Sequence, residues 1–210
     1  PDRDDMLAAA SALAHVERAK AVPDLLALLR TATGDTAKPP RALLLWTLDE
    51  QHLDPLVAML DVLKPQAKAS AIAVIGARGG RRFASRIVPL TSDPDPDIHA
   101  AAVAALAGVA GPSDLPALFA LLAAADDASV APVQRAIVAA ARQITPEASR
   151  AVPLIDAIAG AARPERIVEL LGQIGGPQAL AAAVQQFGSP STDVRAAAFR
   201  ALTRWPGIEA

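Results

Sequence analysis

The stretch Asp93–Gly111, DPDPDIHAAAVAALAGVAG, decides the reading of this chain. It opens on an acidic turn punctuated by Pro94 and Pro96. It continues as an Ala-rich run and closes on Gly111, with Pro112 next. Ile98, Ala101, Ala102, Ala105, Leu106 and Val109 fall on an i, i+3, i+4, i+7 stripe, the signature of a helix with one apolar face. Asp97 stands just ahead of that stripe, where an N-cap or first-turn carboxylate belongs. Gly111 suits a left-handed C-cap, and Pro112 suits the first position of a new helix, whose N–H has no intrahelical partner anyway.

The same grammar recurs outward in both directions. Leu106 precedes Gly111 by five residues, as Ile75 precedes Gly80, Leu171 precedes Gly176 and Leu202 precedes Gly207. From position 75 to 106, and again from 171 to 202, the step is 31 residues. Ala140 is the middle anchor between Leu106 and Leu171, with one insertion of about three residues, and one step back from Ile75 reaches Leu44. A period of this length marks stacked helix pairs, none of which can bury its apolar faces alone. The spacing predicts six pairs. They are 22–31 with 40–50, 54–63 with 65–78, 81–91 with 95–109, 112–125 with 129–144, 146–159 with 164–174, and 177–187 with 192–204. The run 3–20 is expected to be a cap or the second helix of a truncated unit. The whole chain, 1–210, then reads as one array, with residues 1–20 as the cap and 21–210 as the six repeats.

Composition agrees with an all-α fold. Of the 210 residues, 52% are hydrophobic, 20% charged and only 3% aromatic, with no Tyr. Runs of β-branched and aromatic residues at period two are missing, so nothing calls for a sheet. The apolar runs break before reaching the length of a membrane span. The N-terminus is acidic and lacks the basic start of a signal peptide. A first residue Pro1 without Met reads as a fragment or a processed chain, and the sequence assigns neither compartment nor oligomeric state.

The stretch Asp93–Gly111 resembles the HEAT-repeat consensus, and Ser189–Gly207, SPSTDVRAAAFRALTRWPG, resembles it more closely because it carries both Asp193 and Arg195. The resemblance runs from about Pro65 to Gly207 and is weaker before that. It implies a right-handed α-α superhelix with the second helix of each pair on the concave side. It also implies a ladder of hydrogen bonds between repeats, from the acid to the basic residue two positions on. Here that means Asp97 with His99 and Asp193 with Arg195, read as structural. The unit before has Gln66 and Lys68, so the ladder is degraded. The phrase RALTRWPG is also similar to repeats in large bacterial multidomain proteins, where helical arrays sit beside glycoside- or disaccharide-processing or cytochrome-like domains. That likeness implies an accessory module.

The candidate chemistry is sparse. Asp93, Asp95 and Asp97 alternate like calcium ligands, but the prolines and the missing Gly and distal Glu break the loop pattern, which leaves a capped turn. His15, His52 and His99 fall in different units and no two stand four apart, so no zinc site is expected. There is no cysteine. Serines lack the setting of an activated nucleophile. No catalytic residue, metal or cofactor is expected. Trp46 and Trp205 are expected in core or cap packing. The densest positive cluster is ARGGRRFASR, with Arg78, Arg81, Arg82 and Arg86 around one turn. Guanidinium forks there could clamp a phosphate, a carboxylate or an acidic partner. They could equally be solvated, paired with nearby Asp, or, for Arg78, set against a helix C-terminus. Gly79–Gly80 reads as a helix terminator.

The leading expectation is a non-enzymatic scaffold that binds a protein or a neighbouring domain of the same polypeptide. The alternative, drawn from the resemblance, is a HEAT-like DNA-binding or DNA-glycosylase-type protein with a basic groove. A net charge of −2 and a pI of about 5.9 weigh against nucleic acid.

Overall fold

The computed structural model describes residues 2–205. Gly207, the last anchor glycine of the sequence pattern, lies outside the described residues. The described residues form helices and 3-10 turns with no strand, and they group into two compact units, 1–109 and 110–210.

In the first unit the helices are α1 (Arg3–Val16), α2 (Arg18–Thr31), α3 (Lys38–Thr47), α4 (Asp54–Ala58), α5 (Pro65–Ala77), α6 (Ala84–Ile87) and α7 (Pro96–Val109). Each long second helix lies on the next: α1 on α3, α3 on α5 and α5 on α7. The first helices α2, α4 and α6 pack beside α3, α5 and α7. One apolar core runs through this stack, from Ala10 and Ala14 through Leu25, Leu29, Leu44 and Ile75 to Val109.

The second unit holds α8 (Leu115–Ala124), α9 (Asp127–Ala141), α10 (Val152–Ile158), α11 (Pro164–Val168), α12 (Leu171–Ile174), α13 (Gly176–Gln185) and α14 (Thr192–Thr203). Here α11 and α12 are two halves of one second helix. It packs between α9 and α14.

The repeat anchors explain why the pattern is legible. Leu44, Ile75 and Leu106 in the first unit, and Ala140 and Leu171 in the second, are each 0% exposed. Leu202, in the last helix, is half-buried. Within each unit the fully buried anchors lie in the apolar core of the stacked helices, where burying a Leu-sized side chain stabilises by about 1.5–3 kcal/mol.

Several elements differ from the sequence reading. The run 3–20 is not one helix: Glu17 breaks it at φ −138°. The break lets Ala14 and Ala21, both fully buried, serve one core from two helices laid side by side. The span 81–91 is a 3-10 turn (Arg81–Phe83), the short α6, and a second 3-10 turn (Val88–Ser92). Pro89 has no N–H to continue the α-helical ladder, so the chain tightens into i+3 bonding. The span 54–63 is α-helical only to Ala58 and then relaxes into turns. Lys64 is held extended at ψ 156° by Pro65 behind it.

Gly111 is a further correction. Its backbone is extended, φ −117° and ψ −178°, not left-handed. Its N–H donates to Asp114 Oδ2 at 2.8 Å, so it heads the following turn instead of capping the helix before it. The Gly79–Gly80 pair does end α5, with Gly79 at φ +72°. Of core and cap packing, Trp46 shows the second: it is 39% exposed, with its ring 5.0 Å from that of His15 in α1. Trp205 is half-buried after the end of α14.

Candidate partner-binding surfaces

The acidic turn of the opening stretch is a capping device. Asp93 Oδ1 accepts from the Asp95 N–H at 3.0 Å, and Asp95 Oδ1 accepts from the N–H groups of Asp97 (3.0 Å) and Ile98 (3.2 Å). The cap of α7 is therefore Asp95, and Asp97 sits in the first turn, where a carboxylate complements the positive end of the helix. At the other end of the chain Ser191 caps α14, and Asp193 holds the first-turn place.

The basic partners bond close to home. His99 Nδ1 lies 2.6 Å from the carbonyl of Thr91. Arg195 Nη1 donates to the carbonyls of Ser189 (2.7 Å) and Pro190 (3.0 Å). Both side chains thus tie a helix to the turn that leads into it. Lys68 Nζ reaches from the preceding repeat to Asp93 Oδ2, 3.5 Å away and largely shielded from water.

The arginine turn is mostly engaged with the preceding helix pair. Arg82 Nη2 meets Asp54 Oδ2 at 2.5 Å and stacks over Phe83, 4.7 Å from its centroid. Arg86 Nη2 meets Asp61 Oδ2 at 2.6 Å. Arg78 lies at the C-terminus of α5, half-buried, and its Nε is an orphaned buried donor. Arg81 is exposed at the head of the turn. The four residues do share one corner, but two of their charges are already matched by carboxylates. An anion at this corner would have to compete with both.

The sequence pattern passes over Arg166. It sits on α11 with only 8% of its surface exposed, in a run of apolar residues. Its Nη1 donates to the carbonyls of Leu122 (2.6 Å) and Ala125 (2.9 Å). These are the unsatisfied carbonyls at the C-terminus of α8, and the buried cation closes them and faces the negative end of that helix. Gln134 on α9 in turn donates to the Arg166 carbonyl at 3.1 Å. A lone Arg beside Ile167, Val168, Leu170 and Leu171 was the available signal. Glu169 was likewise passed over; it receives Arg204 at 3.1 Å and Arg200 at 3.4 Å.

The second unit also carries two apolar grooves between α8 and α10. One, of about 490 Å³, is lined by Leu115, Phe119, Pro153 and Ala157 among others. The other, of about 330 Å³, shares Phe119 and Ala157 and reaches Gly160 and Ile167. Pro116 and Pro153, each in the first turn of its helix, line the first of these grooves. Elsewhere, the exposed carboxyl of Asp35 is held below its ordinary range by a hydrogen bond from Lys38 and by that residue's charge. Among the described residues no group of three or more His, Asp or Glu converges on a metal-sized site. Among those residues no helix is long and apolar enough to cross a membrane.

Stacked helix pairs with a fixed register define a helical-repeat protein. Residues 53–142 match the family model of HEAT repeats, and that stretch belongs to the HEAT-repeat family. HEAT repeats are in general protein-interaction scaffolds and are generally non-enzymatic. No curated protein matches the chain.

Proposed function

We propose that this chain is a non-enzymatic scaffold that engages a protein or a neighbouring domain of its own polypeptide, as an accessory module of a larger protein. We also read 1–210 as one array of repeats. The observation that carries the proposal is the pair of grooves meeting at Phe119 and Ala157. They are apolar, open to solvent and rimmed by Asp156 and Arg163. Such a surface takes an apolar side chain from a partner and holds it by area burial, with charge at the rim for orientation. The basic turn gives little to a nucleic-acid reading, because Arg82 and Arg86 are occupied by Asp54 and Asp61.

The test is affinity capture from host extract with the wild-type chain and with Phe119→Ser and Arg81→Glu. A partner retained by wild type and Arg81→Glu but lost by Phe119→Ser supports the groove. Loss with Arg81→Glu alone, together with a salt-dependent affinity for duplex DNA, overturns it in favour of the basic turn.

A further inference from the structure

Arginines drawn in from solvent find acceptors in this chain. Among the described side chains Arg3, Arg150, Arg166 and Arg195 are half-buried or buried. Arg3 donates to the carbonyls of Leu28 and Thr36, and Arg150 to that of Ile144. Arg166 and Arg195 close carbonyls in the same way. This is the usual fate of a withdrawn donor. Arg78 is the exception. It is half-buried too, yet its Nε is buried without an acceptor, and among the described residues no carboxylate or carbonyl engages the rest of its guanidinium. A desolvated donor without a partner costs stability. The C-terminal end of α5 complements the charge only in part, with about half a negative charge spread over several carbonyls.

Arg81, on the same turn, is exposed and likewise without a carboxylate. Arg82 and Arg86 differ, since they hold Asp54 and Asp61. Competition for an incoming anion is confined to those two. The turn between Arg78 and Arg81 is Gly79–Gly80. A methyl group at Gly80 would strike Ile75 and Leu53 at 2.9 and 3.0 Å, whereas one at Gly79 would meet nothing nearer than the Gly108 carbonyl at 4.0 Å. The turn is therefore fixed on its inner side and bare on its outer side. Cations held on such a turn lose less freedom when they bind. Three peptide units span at most about 11 Å, so the two guanidinium groups address acids of one short segment.

We infer that this turn is a binding site for an acidic peptide segment of a partner protein. One Asp or Glu carboxylate takes the open Nη edge of Arg78, and a neighbouring one pairs with Arg81. The planar guanidinium fork matches a carboxylate, and the seated acid supplies the counter-charge that the chain does not. The corner itself shows the preference, because Arg82 and Arg86 each take a carboxylate already. A nucleic-acid backbone fits less well. It is held by a run of cations, and here the exposed Asp54 and Asp61 would face its phosphates as like charges, on a chain of net charge −2. The site goes beyond the groove reading: it lies in the first unit and recognises charge, where the groove takes an apolar side chain.

The experiment is fluorescence anisotropy on the full chain with three labelled probes: a peptide of alternating Asp and Gly, the same peptide with Asn for Asp, and a DNA duplex. Wild type is expected to bind the Asp peptide about tenfold or more tightly than the Asn peptide, and more tightly than the duplex. Arg78→Gln is expected to weaken the Asp peptide about tenfold, the loss of one charge-assisted bond at a half-buried site. Arg81→Gln is expected to weaken it about threefold, since exposed pairs contribute less. Arg30→Gln, which removes an exposed arginine of α2, is expected to leave it unchanged. Arg78→Met separates binding from folding. It removes an orphaned donor, so its circular dichroism melt is expected as high as that of wild type while its peptide affinity falls. An Arg78→Met chain that melts clearly lower and still binds overturns the proposal, because the arginine then serves the fold. So do equal affinity for the Asn peptide, tighter binding of the duplex, or a wild-type chain that binds no probe. Phe119→Ser is expected to bind the Asp peptide like wild type, so failure of the groove and failure of this turn are read separately.

Discussion

A methyl group at Gly76 would fall 2.5 Å from Cβ of Ala105, and one at Gly108 would fall 1.8 Å from the carbonyl oxygen of Gly76. The backbones of α5 and α7 therefore meet where neither residue can carry a larger side chain. The relation recurs in the second unit, where a methyl group at Gly172 would fall 2.2 Å from the carbonyl oxygen of Ala201. Gly76 and Gly172 each follow their repeat anchor by one residue, and Ala105 and Ala201 each precede theirs by one. The two contacts are one device used twice.

Gly76→Ala and Gly172→Ala are expected to destabilise by about 1–3 kcal/mol, the usual cost of forcing extra volume into a packed interface. Gly111→Ala is the contrast. Its backbone is extended, and a methyl group there would meet only ordinary contacts at 3.8 and 3.9 Å. It is expected to be neutral, or stabilising by up to about 1 kcal/mol through the unfolded chain. Urea unfolding of the three variants separates packing glycines from punctuation glycines.

Leu106→Ala removes the fully buried anchor of α7. The expected loss is about 2–5 kcal/mol, the range for a Leu truncated inside a core. An unchanged denaturation midpoint would show that the repeat anchor does not carry the core.

Arg166→Met keeps the bulk and the apolar stem but leaves the Leu122 and Ala125 carbonyls without their buried donor. The expected cost is about 1–3 kcal/mol, from desolvated acceptors that lose their partner. Amide hydrogen exchange should show it first at the C-terminal turn of α8. If exchange there is unchanged, the arginine is not the cap.

Arg86→Gln breaks the exposed pair with Asp61. Pairs of this kind contribute about 0–1 kcal/mol, and salt screens what they contribute. The stability difference from wild type is expected to be small at low salt and to vanish at high salt. A large, salt-insensitive loss would mean that Arg86 packs through its stem instead.

How much of the site was legible follows from which residues repeat. The arginine corner was visible as a local cluster in ARGGRRFASR. Its acidic partners Asp54 and Asp61 belong to the preceding helix and its trailing turn, and nothing in the local pattern assigns them. The expected ladder pairs Asp97 with His99 and Asp193 with Arg195, but the His99 and Arg195 side chains meet carbonyls just before their own helices, and polar steps between repeats are made by Lys68 with Asp93, Arg82 with Asp54 and Arg86 with Asp61. Phe119 and Arg166 gave almost no signal, because an apolar residue in an apolar helix and a single Arg in a stripe match no short motif.

The sequence by itself determined the class of fold and its period. An apolar anchor every 31 residues, Ala on the contact face and Pro or Gly between helices leave stacked helix pairs as the way to bury that surface. It also located the boundaries that local chemistry controls, such as the end of α5 at Gly79. Only the tertiary structure decided the rest: the break at Glu17, the shortening of helices around Pro89, and which glycines are packing contacts instead of turns. It also decided that Arg166 closes another helix and that Arg82 and Arg86 are already paired. The physical reason is range. Caps, turns and periodicity are fixed within a few residues, whereas close backbone approach, buried donors and ion pairs depend on residues some 25 to 45 positions away that meet only when the repeats stack.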